Sequence, residues 1–299
     1  MTKGFSKEEL KYSIKEKIRS ISIGSQIIGN DTSFSFMKEN ENVAKPLIAI
    51  EMLYIQDASY PEILRRQWTE NITDNIIRAD KSNADIISIK FNIAESDFEK
   101  EKGNIVSFIN DIHKYTKKPV ILRGANNTAI DLKLIPLLAK SKTPSIIAFA
   151  EEETYEKIVP YVIQNSHILV LRTPIDINIA KELNILSTDK GLPPDRILID
   201  PDMGGLGYGL DYGYSIIEKI RQAAFDGDTM LNMPIIAFIG EETYRAKEAK
   251  SDTFDKQWGE YNKRATMWEI SGATAMITAG ANIVVLWNTD SVNAIKGVL

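Results

Sequence analysis

Eight short apolar runs recur along residues 46–287, and this repeat constrains the fold more than any other feature of the chain. Each run is almost continuously apolar instead of alternating with polar residues, which is typical of parallel strands that are covered on both faces. The chain is therefore predicted to form a parallel sheet. The predicted strands are 46–52, 84–91, 119–123, 145–150, 167–172, 196–200, 234–240 and 282–287.

Stretches with helical spacing of apolar residues separate these runs. Eight alternations of strand and helix in about 250 residues favour a (β/α)8 barrel, the TIM barrel, over an open doubly wound sheet. The first strand ends in Glu51-Met52-Leu53-Tyr54, without the glycine-rich phosphate turn of a dinucleotide-binding sheet. We predict an α/β fold with a TIM barrel over residues 46–299. The predicted helices are 61–80, 102–116, 131–138, 153–164, 178–190, 216–224, 263–279 and 291–298.

Residues 1–45 stand outside this alternation and are predicted to form a short N-terminal extension. The charged segment 7–19 is predicted to be a helix. Residues 21–28 and 33–37 are predicted to form a hairpin across Gly29-Asn30-Asp31, a favourable turn sequence. We expect the extension to plug the bottom of the barrel, and an arm that docks on a partner is the alternative.

The composition excludes several classes of function. A net charge of −5 and a pI near 5.3 argue against nucleic acid or an anionic membrane as the main partner. Without cysteine, the chain alone can form neither a disulfide nor a cysteine-ligated cluster, and two histidines are too few for a multi-histidine metal site. No segment approaches the apolar length of a membrane span, and the N-terminus lacks the apolar run of a signal peptide. We expect a cytoplasmic, soluble protein.

A loop with four glycines in six positions, residues 204–209, follows the sixth predicted strand. Glycines at a strand end let the backbone approach a ligand or another chain closely. The loop is neither a dinucleotide fingerprint, because Leu210 and Tyr212 stand where glycine is needed, nor a P-loop. We predict a ligand or interface role for this loop. Its candidate residues are Gly204, Gly205, Leu206, Gly207 and Tyr208.

Five further residues are of types that can take part in chemistry. Asp200 and Asp202 could be paired carboxylates, but Pro201 between them favours a structural role for one, accepting backbone N–H groups in the loop. Arg245 could bind a carboxylate or amide oxygen at the barrel mouth, or belong to a solvated, ion-paired helix start. His113 is predicted to lie on the surface, and His167 to be structural at the bottom rim. No histidine–carboxylate pair or activated nucleophile stands out, so no catalytic residue is predicted.

Several long strings stand out in the C-terminal two thirds of the chain. They are LRTPIDINIAKELNIL (171–186), IDPDMGGLGYG (199–209), YSI (214–216), DTMLNMPII (228–236), RAKEA (245–249), WG (258–259), WE (268–269), ATA (273–275) and AGA (279–281). In order and spacing they resemble the small subunit of the corrinoid iron–sulfur protein, whose family contains the archaeal delta subunit of the acetyl-CoA decarbonylase/synthase complex. The resemblance begins near Lys45 and is densest from 170 to 282.

This resemblance implies a barrel that pairs with a large subunit, which carries a [4Fe–4S] cluster and a corrinoid-binding domain. The barrel mouth would cover the corrinoid (cobalamin) at the interface of the heterodimer. Cobalt would take a methyl group from methyltetrahydrofolate, or its methanopterin counterpart, and pass it to acetyl-CoA synthase in the Wood–Ljungdahl pathway. A methyltransferase and acetyl-CoA synthase are the further implied partners. The implied corrinoid-binding residues are Asp200, Gly204, Gly205, Leu206, Gly207, Tyr208, Arg245 and Asn288.

Two departures from the family pattern fall at the predicted barrel mouth. Trp287-Asn288-Thr289 stands where the family has Arg-His-Pro, so Asn288 takes no metal-ligand role from the family. Residues 239–244, Ile-Gly-Glu-Glu-Thr-Tyr, replace Val-Gly-x-Glu-Ala-Trp. Both changes bear on the contacts that the corrinoid would make.

Two other classes of function are compatible with a barrel of this kind. A stand-alone methyltransferase would bind a reduced pterin through Asp200, Asn92 and Asn126 at the strand ends. An aldolase-like barrel would need a Schiff-base lysine inside the barrel, for which Lys90 is the candidate. Whether Asp200, Asn92, Asn126 and Lys90 point into the barrel discriminates between these two hypotheses.

Overall fold

The computed structural model describes residues 14–34, 44–202, 209–251 and 253–299, which contain ten strands. A two-stranded antiparallel hairpin precedes eight parallel strands in the order β8-β7-β6-β5-β4-β3-β10-β9. A parallel bridge between Ile199 and Ile235 joins the two ends of this sheet, so the barrel is nearly closed. The strands are β1 (Ser20–Ile23), β2 (Gln26–Gly29), β3 (Leu47–Leu53), β4 (Ile86–Lys90), β5 (Val120–Arg123), β6 (Ile146–Ala150), β7 (Ile168–Arg172), β8 (Ile197–Asp200), β9 (Ile236–Ala237) and β10 (Ile283–Leu286).

Helices follow the strands around the outside of the barrel and confirm the predicted (β/α)8 architecture. Their apolar faces bury the outer face of the sheet in one continuous core. The helices among the described residues are α1 (Glu62–Arg65), α2 (Ile72–Asp80), α3 (Phe98–Asp111), α4 (Thr128–Leu138), α5 (Tyr155–Gln164), α6 (Ile177–Asp189), α7 (Leu210–Phe225), α8 (Ile239–Arg245), α9 (Lys247–Lys250), α10 (Tyr261–Ala279) and α11 (Thr289–Val298).

The barrel interior is apolar in its lower half. Side chains of a strand alternate between its two faces, so every second residue points inward. The inward residues nearest the strand starts, such as Leu47, Ile86, Ile121 and Ile168, belong to one buried cluster. The bottom of the barrel is therefore a packed core and not a channel.

The hairpin β1–β2 closes this bottom end, because Ile21, Ile23 and Ile28 join the same interior cluster. The predicted hairpin is wrong in its register: Ser20 pairs with Gly29, so the chain turns between β1 and β2 and not at Gly29-Asn30-Asp31. Gly24 supplies the left-handed φ of +55° that this turn requires. Of the predicted helix 7–19, residues 14–19 are not helical, and the rest lies outside the described residues, as do 35–37 of the second predicted strand.

Two helical segments differ from the sequence prediction. The predicted helix 61–80 is two helices, because Asn71 accepts a hydrogen bond from the N–H of Thr73 (2.9 Å) and starts α2 anew. The predicted strand 234–240 contributes only the two residues of β9, and α8 begins at Ile239. The apolar run continues into a helix that is itself buried, and such a run carries no signal that separates strand from helix.

Candidate functional site at the barrel mouth

Charged side chains occupy the inward positions at the carboxyl ends of the strands. They continue the inward alternation of the apolar layer below, for instance from Leu47 and Ala49 to Glu51 in β3 and from Ile168 and Val170 to Arg172 in β7. The carboxyl ends of barrel strands form the mouth, where function resides in barrels of this class. The mouth of this barrel therefore has a polar lining over an apolar interior.

Arg123 of β5 is fully buried at the centre of this lining. Its Nη1 donates to Oε1 of Glu51 (2.6 Å), and its Nη2 donates to Oε2 of Glu241 in α8. Lys90 of β4 donates from Nζ to Oε1 of the same Glu241 (2.7 Å). Burial alone would lower the pKa of Arg123, but Glu241 and Glu51 outweigh burial and hold that pKa above its usual value. The guanidinium is therefore permanently charged and paired.

The carboxylate of Glu51 accepts two further hydrogen bonds. The hydroxyl of Ser88 donates to Oε2 (2.7 Å), and Nε1 of Trp287 donates to Oε1 (2.8 Å). Burial favours the neutral form of Glu241, but Arg123, Lys90 and Arg245 hold the pKa of Glu241 far below its usual range. Glu241 is consequently ionised, and both carboxylates accept hydrogen bonds or ion pairs from several donors.

A second buried pair joins Arg172 of β7 to Asp200 of β8, with Nε 2.6 Å from Oδ2. The Arg172 guanidinium lies 3.4 Å from the ring centre of Phe149 and forms a cation–π contact with it. Oδ1 of Asp200 accepts a hydrogen bond from the backbone N–H of Asp202 (3.2 Å). Burial raises the pKa of Asp200, and Arg172 opposes that shift. The structural role predicted for one of the two aspartates is confirmed for Asp200.

The ion pairs fill the mouth along the barrel axis. Three cations and three carboxylates meet there, and each of the six side chains is at most 8% exposed. The described residues disfavour the pterin-binding hypothesis. Asp200 is enclosed, Asn92 uses both polar atoms of its side chain on the backbone of Ile55, and Oδ1 of Asn126 lies 3.5 Å from Nη1 of Arg172. Lys90 does point into the barrel, but its ammonium is paired with Glu241 and is no free amine. The six charges are Lys90, Arg123, Arg172, Glu51, Asp200 and Glu241.

An aromatic stack stands at one side of the mouth. Trp287, directly after β10, lies 4.8 Å from Tyr60 and 6.0 Å from Tyr244, measured between ring centres. The ring planes are inclined by only 27° and 10° respectively. An open cleft of about 460 Å³ borders this stack, and it is lined by Ser59, Tyr60, Pro61, Glu241, Tyr244, Arg245 and Trp287.

Glu269 of α10 fixes the backbone that carries Trp287. Its Oε1 accepts from the N–H of Trp287 (2.6 Å), and its Oε2 accepts from the N–H of Asn288 (3.2 Å). The carboxyl group is completely buried, and burial raises its pKa to about 7. A neighbouring constraint comes from Gly240, where a Cβ would lie 2.6 Å from Cδ1 of Trp287.

Gly240→Ala is expected to lower the free energy of unfolding by about 1–3 kcal/mol, because the added methyl group forces the packed indole to move. Chemical denaturation of the two proteins would measure the difference. Gly103→Ala in α3 is the matched control, since its added methyl meets nothing within 4 Å and should be neutral or stabilising. A Gly240→Ala protein as stable as the Gly103→Ala protein would contradict the close packing.

Arg245 is exposed, unlike Asp200 and Asn288, the other two described members of the predicted corrinoid-binding set. Its Nη1 donates to Glu242 (2.7 Å) and its Nη2 to Glu241 (3.0 Å), while 54% of its side chain remains exposed. Arg245 ends α8, so the predicted ion pairs form at a helix end and not at a helix start. The side chain borders both the aromatic cleft and a larger groove on its other side.

The other predicted site residues divide into two groups. Asn288 is buried and caps α11: its Oδ1 accepts from the N–H of Asp290 (2.9 Å), and its Nδ2 donates to Oγ1 of Thr266 (2.8 Å). Its side chain thus serves the fold. The loop residues lie outside the described part of the chain, between Asp202 and Gly209: they are Gly204, Gly205, Leu206, Gly207 and Tyr208.

The groove beside Arg245 has a volume of about 1130 Å³. It runs between the start of α7, the segment 245–260 and the exposed side of α10. Three of its large apolar side chains are notably exposed: Trp258 (50%), Met267 (51%) and Leu210 (38%). Its lining consists of Gly209, Leu210, Arg245, Ala246, Lys247, Glu248, Gln257, Trp258, Gly259, Glu260, Lys263, Arg264, Met267, Trp268, Ser271 and Gly272.

The histidines lie away from this site. His167 is buried, its Nδ1 accepts from the N–H of Ser145 (3.0 Å) and its Nε2 lies 3.0 Å from the carbonyl of Ala139, which confirms the structural reading. His113 is half-buried just beyond α3 and not on the surface as predicted, and burial lowers its pKa.

In the parts of the chain that the structure describes, no group of three potential metal ligands occurs. The helices of those same parts include none that is both long and apolar enough to cross a bilayer.

Comparison with known proteins places the chain in a family. The model of the CO dehydrogenase/acetyl-CoA synthase delta subunit family matches residues 25–296. The acetyl-CoA decarbonylase/synthase complex subunit delta of Methanopyrus kandleri is 22% identical over 90% of this chain and 68% of its own length. The corresponding subunit of Methanocaldococcus jannaschii is 24% identical over 84% and 63%, and that of Archaeoglobus fulgidus 29% over 64% and 44%. The chain thus covers from about two thirds to less than half of the length of these relatives.

Solved structures of the same fold include dihydropteroate synthases. The enzyme of Xanthomonas albilineans with 4-aminobenzoic acid has a TM-score of 0.61 and 11% identity, covering 94% of this chain and 96% of that one. The enzyme of Thermus thermophilus has a TM-score of 0.56 and 11% identity over 94% and 98%. Identity this low establishes the TIM-barrel fold alone. The family match over nearly the whole chain shows that this protein belongs to the CO dehydrogenase/acetyl-CoA synthase delta subunit family.

Proposed function

We propose that the chain is the small subunit of a corrinoid-dependent methyl-transfer complex, and that its barrel mouth covers a corrinoid held by a large subunit. One observation carries the proposal beyond family membership: among the described residues, paired charges fill the barrel axis, whereas an open cleft borders Arg245 at the rim. In this part of the chain the paired charges occupy the axial position in which a small substrate would bind. The rim of the barrel, with the aromatic cleft and Arg245, remains the surface on which a large flat cofactor can rest.

The residues at this rim suit a corrinoid. The face of a macrocycle packs against aromatic rings, and Tyr60 offers a partly exposed ring that stacks on the buried Trp287. The peripheral amides of a corrin accept hydrogen bonds, and Arg245 has donors left over because more than half of its side chain is exposed. When bound, the corrinoid would supply a cobalt centre that carries the methyl group. The chain itself would hold the macrocycle in position and exclude water from it.

The partners follow from the same proposal. The [4Fe–4S] cluster belongs on the large subunit, because this chain has no cysteine to ligate it. Methyltetrahydrofolate or a methyl-tetrahydropterin would donate the methyl group through a methyltransferase, and acetyl-CoA synthase would receive it, as in the Wood–Ljungdahl pathway. We place this heterodimer in the cytoplasm, in agreement with the acidic, cysteine-free composition.

Co-expression with the candidate large subunit of the same genome tests the proposal most directly. A stoichiometric complex with corrinoid absorption bands, beside a colourless isolated chain, is the expected result. A colourless monomer that binds methyltetrahydrofolate would favour the stand-alone pterin methyltransferase instead.

The glycine loop provides a second test. Gly205→Val combined with Gly207→Val is expected to weaken corrinoid retention in the purified complex by about 5- to 150-fold, the equivalent of about 1–3 kcal/mol of overpacking. The corrinoid-to-protein ratio, read from the visible spectrum after gel filtration, measures the loss. Gly103→Val with Gly297→Val is the matched control, because both positions face open space. Equal retention by the two folded variants would remove the loop from the proposed site.

A further inference from the structure

We propose that Glu51 is a positioning residue for the ring of Tyr60, and that it acts through the buried indole of Trp287. The inference rests on the proposed function, because Tyr60 is the partly exposed ring against which the face of the cofactor would pack. It gives a buried carboxylate of the ion-paired mouth the task of setting the plane of that ring.

The carboxylate of Glu51 is an acceptor that the barrel itself holds in place. It belongs to β3 and is 2% exposed. Its two oxygens accept from the hydroxyl of Ser88 in β4 (2.7 Å) and from Nη1 of Arg123 in β5 (2.6 Å). An acceptor that is fixed by the next two strands has little freedom of its own, so the group that it binds takes a defined position.

The indole of Trp287 binds this acceptor through its single hydrogen-bond donor. Nε1 lies 2.8 Å from Oε1 of Glu51. A half-turn about the bond that carries the indole would move Nε1 away from Glu51 and leave a buried N–H group without an acceptor. Glu269 binds the backbone N–H of Trp287 and places no restraint on this rotation. The orientation of the indole therefore depends on Glu51.

Tyr60 in turn depends on the indole. The two rings are 4.8 Å apart between their centres, and their planes are inclined by 27°. Beside them lies a cavity of about 20 Å³, room for about one water molecule, that borders Glu51, Tyr60 and Trp287. The stack is thus not tightly packed on every side, and Tyr60 can follow a tilt of the indole.

The hydrogen bond supplies a precision that stacking lacks. Offset and edge-to-face arrangements of two aromatic rings are both favourable, so stacking alone defines the plane of Tyr60 loosely. A hydrogen bond to a charged acceptor is directional and roughly twice as strong as a neutral one. The rigid geometry of the strands is thereby passed from Glu51 to Trp287 and on to the ring at the rim.

Two substitutions at Glu51 separate its role as an acceptor from its charge. Glu51→Met keeps most of the volume and removes the acceptor. Glu51→Gln removes the charge, but its carbonyl can take the place of Oε1, to which both Trp287 and Arg123 donate, while its amide donates to the hydroxyl of Ser88. A positioning role therefore predicts a defect in Glu51→Met that Glu51→Gln does not share.

The fluorine NMR spectrum of the isolated chain, labelled with 3-fluorotyrosine, reports on the ring of Tyr60 without any cofactor. The Tyr60 signal is the one that is absent from Tyr60→Phe. We expect it to shift or broaden in Glu51→Met and to stay near its wild-type position in Glu51→Gln. In a Trp287→Phe background, Glu51→Met should cause no further change. Ser88→Ala, which removes a hydrogen bond from Oε2 only, is the matched control and should leave the signal in place.

Corrinoid binding by the complex with the large subunit provides the second measurement. Glu51→Met and Trp287→Phe are each expected to weaken the affinity for the corrinoid about tenfold, because the ring of Tyr60 is no longer fixed. Glu51→Gln and Ser88→Ala should stay within about twofold of the wild type.

Two results would overturn the inference. An unchanged Tyr60 signal in a folded Glu51→Met protein would show that the ring does not depend on Glu51. Equal changes in Glu51→Met and Glu51→Gln would show that Glu51 acts through its charge and not as an acceptor.

A second pair of variants covers the case in which Glu51→Met does not fold. Arg123→Met is then combined with Glu51→Met and, separately, with Glu51→Gln, so that no buried cation loses its partner, and the same comparison of Tyr60 signals decides. If the wild-type complex binds no corrinoid, the proposed function fails, and the fluorine spectra still decide the role of Glu51.

Discussion

Arg123→Met is expected to lower the free energy of unfolding by about 3–5 kcal/mol, the largest effect that the structure predicts for one side chain. The substitution keeps most of the volume but removes the cation that Glu51 and Glu241 share at the centre of the mouth. Both carboxylates would remain buried without it, and a buried charge that has lost its partner is strongly destabilising. Denaturant unfolding, with comparison of midpoints at equal slope, measures the loss.

The double variant Arg123→Met with Glu51→Gln is the informative control. It removes a carboxylate along with the cation, so it should recover part of the stability that the single variant loses. The control compares two losses of unfolding free energy: that caused by Glu51→Gln in the wild type and that caused by Glu51→Gln in the Arg123→Met protein. Equal losses would show that the two residues are not coupled. The buried ion pair would then contribute nothing as a pair.

A second large effect is expected in the pH dependence of stability, and it arises from Glu269. The pKa of this carboxyl is about 7 in the folded chain and 4.5 in its ordinary state. Between these values the folded protein binds a proton that the unfolded chain has released. Stability must therefore fall as the pH rises from 4.5 to 7, by about 3 kcal/mol in all, and level off above 7.

Glu269→Gln removes this titration while keeping the size of the side chain. The difference in unfolding free energy between wild type and variant should change by about 3 kcal/mol across pH 4.5–7.5 and stay constant outside that range. Unfolding curves at half-unit pH intervals provide the measurement. A difference independent of pH would show that Glu269 has the same pKa in both states.

The barrel could be predicted from sequence because parallel strands covered on both faces are almost continuously apolar. The same rule fails at residues 234–240, where a buried helix follows a two-residue strand and reads like a longer strand. It also fails at 21–28, where an apolar stretch is interrupted by the turn at Gly24. In both places the local sequence allows two structures, and tertiary packing selects one.

The candidate site was only partly predictable. A charged residue near or at the end of an otherwise apolar strand, as at Glu51, Lys90, Arg123 and Arg172, is visible in the sequence, and alternation can assign it to the interior. That signal could have identified the ion pairs, which the sequence analysis did not predict. The pairing of these charged side chains could not be predicted from sequence, because Arg123 is 72 residues from Glu51 and 118 from Glu241. Such pairings exist only once the barrel closes.

The hairpin at the bottom of the barrel has a consequence for the order of biosynthesis. Its anchor is the hydrogen bond from Asn282 to Asp31 (2.6 Å), across 251 residues, and its isoleucines share a cluster with β10, the last strand. At ribosomal speeds of about 5–20 residues per second, the hairpin emerges about 13–50 s before its docking site is complete. During translation its apolar side chains have no native partner. Nascent chains stalled before β10 should therefore be the form of this protein that chaperones bind and proteases cleave within the first thirty residues.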